Sequence, residues 1–258
     1  GLEGPVYHLS QIDGELVAAG AFTRSNMVQL DHVARFVDGG WEPISSGING
    51  DVRTLVQFAG KLYAGGDFTK ADSKPALRIA SRNNGQWRGL LSGLHGTVSA
   101  LTKYQDRLIV SGSFTQVGGV SARRMAAFDG DSWSQFGADA GFSANCFAEF
   151  GGQLLAGGAF SVPGGPSGVA AFNGSSWDAM GALEGNVKGL HVHNDELYAY
   201  GNTLLRQLPG GQPSGIAKWD GTNWVNGFPG TTRSVSVNAL ESFNGRLYMA
   251  GDSTGTLI

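Results

Sequence analysis

His191 and His193 stand one residue apart, so on an extended strand both imidazoles face the same side. That is the spacing of a two-histidine metal pair. No third ligand is evident, and the matching positions elsewhere in the chain hold Val56, Phe58 and Tyr104, so packing is the expected role. Gly251-Asp252-Ser253-Thr254-Gly255 matches the G-x-S-x-G pattern of a nucleophile elbow, which needs a strand turning into a helix. No helical pattern follows it, and Ser253 falls where Phe68 falls in an earlier, related segment, so no nucleophile is expected there. Asp38, Asp129 and Asp220 carry carboxylates of the kind calcium takes, yet each precedes a glycine and reads first as a turn residue. Cys146 is the single cysteine, which excludes an internal disulfide framework and any multi-cysteine metal site. Asn173-Gly174-Ser175 is a glycosylation acceptor only in a eukaryotic secretory setting, and it coincides with a turn. No catalytic residue, metal ligand or cofactor is assigned.

What positions these residues is a repeat. Leu62-Tyr63-Ala64-Gly65-Gly66-Asp67-Phe68 has five relatives, beginning at Leu16, Leu108, Leu154, Leu197 and Leu247, at spacings of 46, 46, 46, 43 and 50. Trp41, Trp87, Trp133, Trp177 and Trp224 form a second series with spacings of 46, 46, 44 and 47. Each unit reads as four strands. The first has a Val-x-x-Leu pattern, as in Val52 to Phe58 or Val187 to His193. The second is the Leu-Tyr-Ala-Gly-Gly run. A longer loop leads to a third strand such as Ile216-Ala217-Lys218-Trp219, and a fourth strand carries the tryptophan. Asp38-Gly39, Asn84-Gly85, Asp129-Gly130, Asn173-Gly174 and Asp220-Gly221 separate the last two, and such pairs favour tight hairpins because the turn needs positive φ.

Four antiparallel strands in about 46 residues make a β-propeller blade, so the fold class is all-β. The expected domain is a single propeller over 1–258, with blades at about 4–49, 50–95, 96–140, 141–184 and 185–233 and a partial blade at 234–258. Counted in period, Gly1 follows directly on a fourth strand, and the sixth unit stops after its second. Positions 259 to 277 would complete it. The expectation is six blades with the last incomplete; a longer array of seven or more is the alternative. Gly20, Gly66, Gly112, Gly158, Gly201 and Gly251 recur at the end of the second strand, which predicts a close backbone approach or a positive φ.

Gly-Gly, an aromatic residue, and Trp five positions later resemble the kelch repeat: Phe36 and Trp41, Phe128 and Trp133, Phe172 and Trp177, Trp219 and Trp224. The second unit departs, with Arg82 in place of the aromatic. The longer phrase LYAGGDFT…IAxWDGxxWxxxGxGxxGxV is similar to kelch-like repeats of secreted and surface bacterial proteins and of fungal cell-polarity landmark proteins. The resemblance implies a propeller and an extracellular or cell-surface setting. The kelch-type propeller of galactose oxidase bears copper held by Tyr and His, with a Tyr–Cys crosslink. That pattern does not carry over, because Cys146 stands where Thr54 and Ala100 stand.

Composition narrows the function. Of 258 residues 42 are glycine and 8 proline, yet 41% are hydrophobic, so the chain has a core to bury and is neither collagen nor disordered. Net charge is −3, and Arg123-Arg124 is the only adjacent basic pair, so nucleic acid is not an expected partner. No apolar run approaches the roughly 18 residues of a membrane span. The second position of strand one varies, as Tyr7, Arg53, Ser99, Asn145, Lys188 and Asn238, while the neighbouring Val and Leu do not. Strand one is innermost in a propeller, so these side chains are the candidate ring at the channel mouth, able to bind an anionic or hydroxyl-rich ligand; a water-lined channel is the alternative. The connections from the second to the third strand and between units vary in length, as in Leu197 to Ile216 and Gly227 to Arg233, and variable loops on a rigid scaffold commonly carry function. The sequence therefore points to a non-enzymatic binding or scaffolding module for a protein or a glycan, within a longer parent chain carrying further domains. A catalytic propeller with an axial site and a structural segment of a surface stalk or filament are the alternatives.

Overall fold

A computed structural model describes residues 1–138, 140–162, 165–166, 168–202, 214–227 and 235–253. The chain divides into two compact units, Gly1–Asp139 and Ala140–Ile258. Among the described residues all the regular structure is β-strand, and no helix is long and apolar enough to cross a membrane.

The first unit holds three four-stranded antiparallel sheets. The first blade runs Val6–Ile12, Glu15–Gly20, Val33–Val37 and Gly40–Pro43; the second, Asp51–Phe58, Lys61–Asp67, Ile79–Asn83 and Gln86–Gly89; the third, Val98–Tyr104, Arg107–Gly112, Met125–Phe128 and Trp133–Gln135. The second unit holds two more: Cys146–Phe150, Gln153–Gly157, Val169–Phe172 and Trp177–Ala179, then Asn186–His193, Glu196–Asn202, Ile216–Trp219 and Trp224–Asn226. Val235–Phe243 and Arg246–Ser253 form a sixth, two-stranded sheet. In every complete sheet the strands lie in chain order, each paired with its sequence neighbours, as the repeat predicts.

Adjacent sheets within a unit bury each other's faces. Val17, Leu55, Leu62 and the fully buried Trp87 share one cluster; Tyr63, Val98, Val110 and Trp133 share the next. In the second unit Leu155, Val187, Leu197 and Trp224 form the equivalent cluster. The repeated aromatic–tryptophan pairs are cross-strand contacts, with ring centroids 5.2 Å apart for Phe36–Trp41, 5.0 Å for Phe128–Trp133, 5.3 Å for Phe172–Trp177 and 5.4 Å for Trp219–Trp224. Rings at such offsets gain beyond the area they bury.

The structure differs from the sequence expectation at two kinds of connection. The link from the second to the third strand is itself a small hairpin: Arg24–Ser25 with Val28–Gln29, Lys70–Ala71 with Lys74–Pro75, Gln116–Val117 with Val120–Ser121. Asn26 and Met27, and likewise Asp72 and Ser73, take positive φ at its tip, with no glycine to announce the turn. The connection entering the blade then pairs with that hairpin, through Leu2–Glu3 on Arg24–Ser25, Ile48 on Ala71 and Leu94 on Val117. The tight turns before the tryptophan also split into two types. Asp38-Gly39 and Asn84-Gly85 have both residues at positive φ, as expected for a two-residue hairpin loop. In the last three blades only the glycine does. There the side chain of the Asp or Asn accepts two backbone N–H groups: Asp129 from Asp131 and Ser132, Asn173 from Ser175 and Ser176, Asp220 from Thr222 and Asn223, all at 2.7–3.0 Å. These Asx turns hold Asp129 and Asp220 below the usual carboxylate range.

Candidate functional site

The recurring glycine and the varying strand-one position belong to one local device. In five sheets the register between the first two strands slips at the varying residue: between Val6 and His8, Val52 and Thr54, Val98 and Ala100, Val187 and Gly189, and Val237 and Ala239. Tyr7, Arg53, Ser99, Lys188 and Asn238 are thus β-bulge residues, left out of the ladder, which re-aims their side chains. The slip also pushes the preceding carbonyl against the second strand. A Cβ on Gly66 would lie 2.1 Å from the Asp51 carbonyl oxygen, and one on Gly112 would lie 2.0 Å from that of Thr97. Gly20, Gly201 and Gly251 meet the same obstacle at 2.0–2.1 Å. Close approach, not positive φ, is the reason for the glycine, since none of the six has a positive φ. The fourth blade shows the converse. Its ladder begins at Cys146, with Asn145 just outside it, and the nearest carbonyl to a Cβ on Gly158 is that of Ser143 at 3.1 Å.

Within the first unit the structure brings two of the predicted side chains together: the Arg53 guanidinium lies 5.7 Å from the centroid of the Tyr7 ring. Ser99 donates to the Ser111 carbonyl at 3.2 Å. Within the second unit Lys188 donates to the Asn238 amide oxygen at 2.5 Å and to Ser236 at 3.4 Å, and Ser236 donates to Asn202 at 2.6 Å. Asn145 donates to Asn186 at 2.7 Å and to the Val187 carbonyl at 3.1 Å. Tyr7, Arg53, Asn145 and Asn238 are exposed; Ser99 and Lys188 are half-buried. Sequence reasoning missed Asn186, Ser236 and Asn202 as members of this polar set. The signal was present: the residue just before the recurring valine is also variable and polar in Asp51, Thr97, Asn186 and Ser236, as is Ser143 before Ala144.

The other candidates resolve as packing or turns. His191 Nε2 and His193 Nδ1 meet one hydroxyl, that of Ser242 on the neighbouring strand, at 2.7 and 2.8 Å. Burial draws His191 below its ordinary pKa. Among the described residues no group of three or more His, Cys, Asp or Glu is placed to hold a metal. Ser253 ends the Arg246–Ser253 strand, while Thr254 and Gly255 lie outside the described residues, as do most of the Leu197–Ile216 connection and 228–233 of the Gly227–Arg233 link. Cys146 is packed with its sulfur over Gly157, 2.6 Å from where a Cβ would stand there. Burial pushes its thiol up to about 12. Because the thiolate is the reacting species, native Cys146 should alkylate roughly a thousandfold more slowly at pH 8 than a free cysteine. Iodoacetamide labelling before and after denaturation, read by mass, checks this; rapid native labelling would refute the burial.

No protein-family model matches the chain, and no curated protein sequence does. Solved structures do. The structure of YCF48 bound to D1 peptide superposes with a TM-score of 0.59 at 15% identity, over 97% of this chain and 76% of that one. The computationally designed Ika8 protein gives 0.55 at 13% identity, over 99% of this chain and 83% of that one. The chain has the β-propeller fold. A propeller is a scaffold shared by many unrelated activities, so the likeness speaks for the fold and the function rests on the site.

Proposed function

We propose that this propeller is a non-enzymatic binding and scaffolding module that recognises a protein segment or a glycan with the bulge residues of its first strands. The observation that carries the reading is the bulge itself. In five of the six sheets it frees one side chain from the ladder at the start of the first strand, and in the fourth Asn145 stands just outside the ladder, all beside the variable connections. At that position the chemistry changes from blade to blade while the flanking Val and Leu hardly change. In the first unit Arg53 supplies a charge-assisted donor, with the Tyr7 ring face and the Ser99 hydroxyl; in the second Lys188 supplies one, with the Asn145 and Asn238 amides; each set is suited to carboxylate, sulfate or hydroxyl-rich ligands. A propeller of the same fold, YCF48, is bound to a peptide, which supports a protein partner. The kelch-like spacing supports an extracellular or cell-surface setting.

Glycan and peptide arrays on the protein test the reading. Any ligand found should lose at least about tenfold in affinity in the Arg53→Ala/Lys188→Ala protein, the loss of two charge-assisted contacts. Unchanged affinity would remove the bulge residues from the site, and turnover of an array ligand would replace binding with catalysis.

A further inference from the structure

The fourth and fifth blades pack face to face around a gap that earlier blades close. Leu155, Ala171 and Asp178 stand directly opposite one another on adjacent strands of the fourth blade, so their side chains share one face. Leu155 clusters on that face with Leu197 and Trp224 of the fifth blade. In the first unit the corresponding places are filled. The first blade has Arg35 where Ala171 stands, and its guanidinium bridges Glu15 and Glu42, each at 3.3 Å. The second blade has Tyr63 where Leu155 stands, its ring 5.9 Å from that of Phe58. Tyr63 and Phe128 of the third blade share a cluster and are each 2% exposed. With the smaller Leu155 and Ala171, the fourth blade leaves a cleft of about 630 Å³, lined by Phe150, Gln153, Ala171 and Asp178 and, from the fifth blade, by Trp219 and Thr222. That volume falls within the roughly 300–1,000 Å³ of small-molecule sites. Both blades that wall it are complete four-stranded sheets.

One wall is an aromatic platform. Trp219 takes the position of Phe128 and Phe172, which are at most 8% exposed, yet Trp219 is only half-buried. Trp224 backs its ring at a centroid distance of 5.4 Å. Gly181 makes room for it, since a Cβ there would lie 2.9 Å from the indole Cζ3. The indole is therefore held in place before any ligand arrives. The rim is polar. Asp178 accepts from Asn173 at 2.8 Å through Oδ2, and among the described residues its Oδ1 takes no hydrogen bond. Gln153 and Thr222 are exposed, and among the described residues their side chains make no hydrogen bond either. Asp178 is the only charged residue lining the cleft among those described.

We propose that this cleft binds one uncharged hexopyranose unit, with a C–H face of the sugar ring against the Trp219 indole and its hydroxyls on Asp178, Gln153 and Thr222. A pyranose divides in the same way as the cleft: apolar on a ring face, hydrogen-bonding around its edge. The indole covers the first, while a carboxylate, an amide and a hydroxyl serve the second. The Asp178 carboxylate, with no basic residue beside it in the cleft, selects against sugar acids. The cleft lies at the other end of the strands from the bulge residues. Phe150 ends the strand whose ladder begins beside Asn145, and Thr222 lies in the turn between the third and fourth strands of its blade. The inference thus goes beyond the bulge reading, and either can fail alone.

The probes are methyl β-D-glucopyranoside, methyl β-D-galactopyranoside, methyl α-D-mannopyranoside and methyl N-acetyl-β-D-glucosaminide, titrated against the protein by saturation-transfer NMR. At least one should saturate with millimolar affinity, and its saturation should concentrate on the C–H protons of one ring face. Ala171→Arg gives the fourth blade the arginine of the first, and by filling the cleft it should lower that affinity at least about tenfold. Trp219→Phe installs the residue that the third and fourth blades already carry there, so the sheet keeps its packing, and the smaller platform should lower affinity about threefold or more. Asp178→Asn removes a charge-assisted acceptor and should lower it by a similar factor. No saturable binding of any of the four glycosides would overturn the proposal. So would unchanged affinity in Trp219→Phe and Ala171→Arg, or tighter binding of methyl β-D-glucuronide than of the glucoside. Loss of the sugar in the Arg53→Ala/Lys188→Ala protein, with Trp219→Phe unaffected, would assign it to the bulge residues instead.

Discussion

Gly66→Ala should destabilise the first unit by about 3 kcal/mol, the upper part of the range for inserting a methyl into a packed site. The new Cβ would stand 2.1 Å from the Asp51 carbonyl oxygen and 3.0 Å from both its carbonyl carbon and the Val52 Cα. All three obstacles are backbone, so no rotamer change relieves them. Relief requires undoing the bulge at Arg53, which would also shift every inward-facing side chain of Asp51–Phe58 against its neighbours. Two controls separate this cause from glycine's other roles. Gly60→Ala meets nothing within 4 Å but sits at φ +70°, so it should cost only about 1–2 kcal/mol of left-handed strain. Gly158→Ala meets chiefly the Phe160 ring at 2.8 Å, a side chain that can move, and should cost about 1 kcal/mol. Thermal melts of the three variants rank them. With roughly 2–4 °C per kcal/mol for a chain of this size, Gly66→Ala should melt about 6–12 °C below the wild type. A melt for Gly66→Ala no lower than for Gly60→Ala would mean that the bulge is not what demands the glycine.

Why the sequence yielded the blades so readily follows from the same residues. The Leu62 series and the Trp87 series are two independent registers on one period, and from the second blade to the fifth each marks a buried position, while Leu16 and Trp41 of the first blade are exposed and half-buried. The hairpins inside the first two second-to-third connections stayed hidden because their tips use Asn26-Met27 and Asp72-Ser73 at positive φ, residues that no turn rule singles out as a pair, whereas the third turns on Gly118-Gly119, a glycine pair that was legible. Asp72 shows what holds such a tip: its carboxylate accepts from the Ser45 hydroxyl, the Ser46 N–H and the Trp87 N–H, at 2.6–2.9 Å. Those three donors lie 15 to 27 residues away along the chain, beyond any local pattern. The candidate site was legible as positions and not as a mechanism. Variation between fixed neighbours pointed to Tyr7, Arg53 and Lys188, but only paired strands reveal that the varying residue is a bulge. One-sequence reasoning then treated the glycine and the variable residue as separate facts, although the slip that frees Arg53 is the slip that excludes a Cβ from Gly66.

A second local rule emerges one residue after the bulge, where each blade sets a strand-one residue against a strand-two residue across the ladder: Thr54 and Gly65, Ala100 and Ser111, Cys146 and Gly157, Gly189 and Tyr200. The fourth and fifth blades solve the space oppositely. Cys146 leans over Gly157, whereas the Tyr200 ring covers Gly189 so closely that a Cβ there would lie 2.0 Å from Cζ and 2.1 Å from Oη. Burial pushes the Tyr200 phenol up to about 12, in keeping with a ring wedged between strands and against the cluster of Tyr198, Ile216, Val237 and Leu240. Gly189→Ala alone should therefore cost about 2 kcal/mol by overpacking. Tyr200→Ser alone should cost about 2–3 kcal/mol in lost packing, less than a fully buried aromatic because the ring is half-exposed. Combined, the two changes install the Ala–Ser pair that the third blade already uses at Ala100 and Ser111. In that background the added methyl meets no ring and replaces a strand glycine whose flexibility costs roughly 0.5–1 kcal/mol, so Gly189→Ala should turn from destabilising to neutral or stabilising. The resulting coupling of about 2 kcal/mol is large for a contacting pair and is measured by urea melts of the wild type, both single variants and the double variant. Equal destabilisation by Gly189→Ala in the two backgrounds would show that the glycine answers to the backbone rather than to the Tyr200 ring.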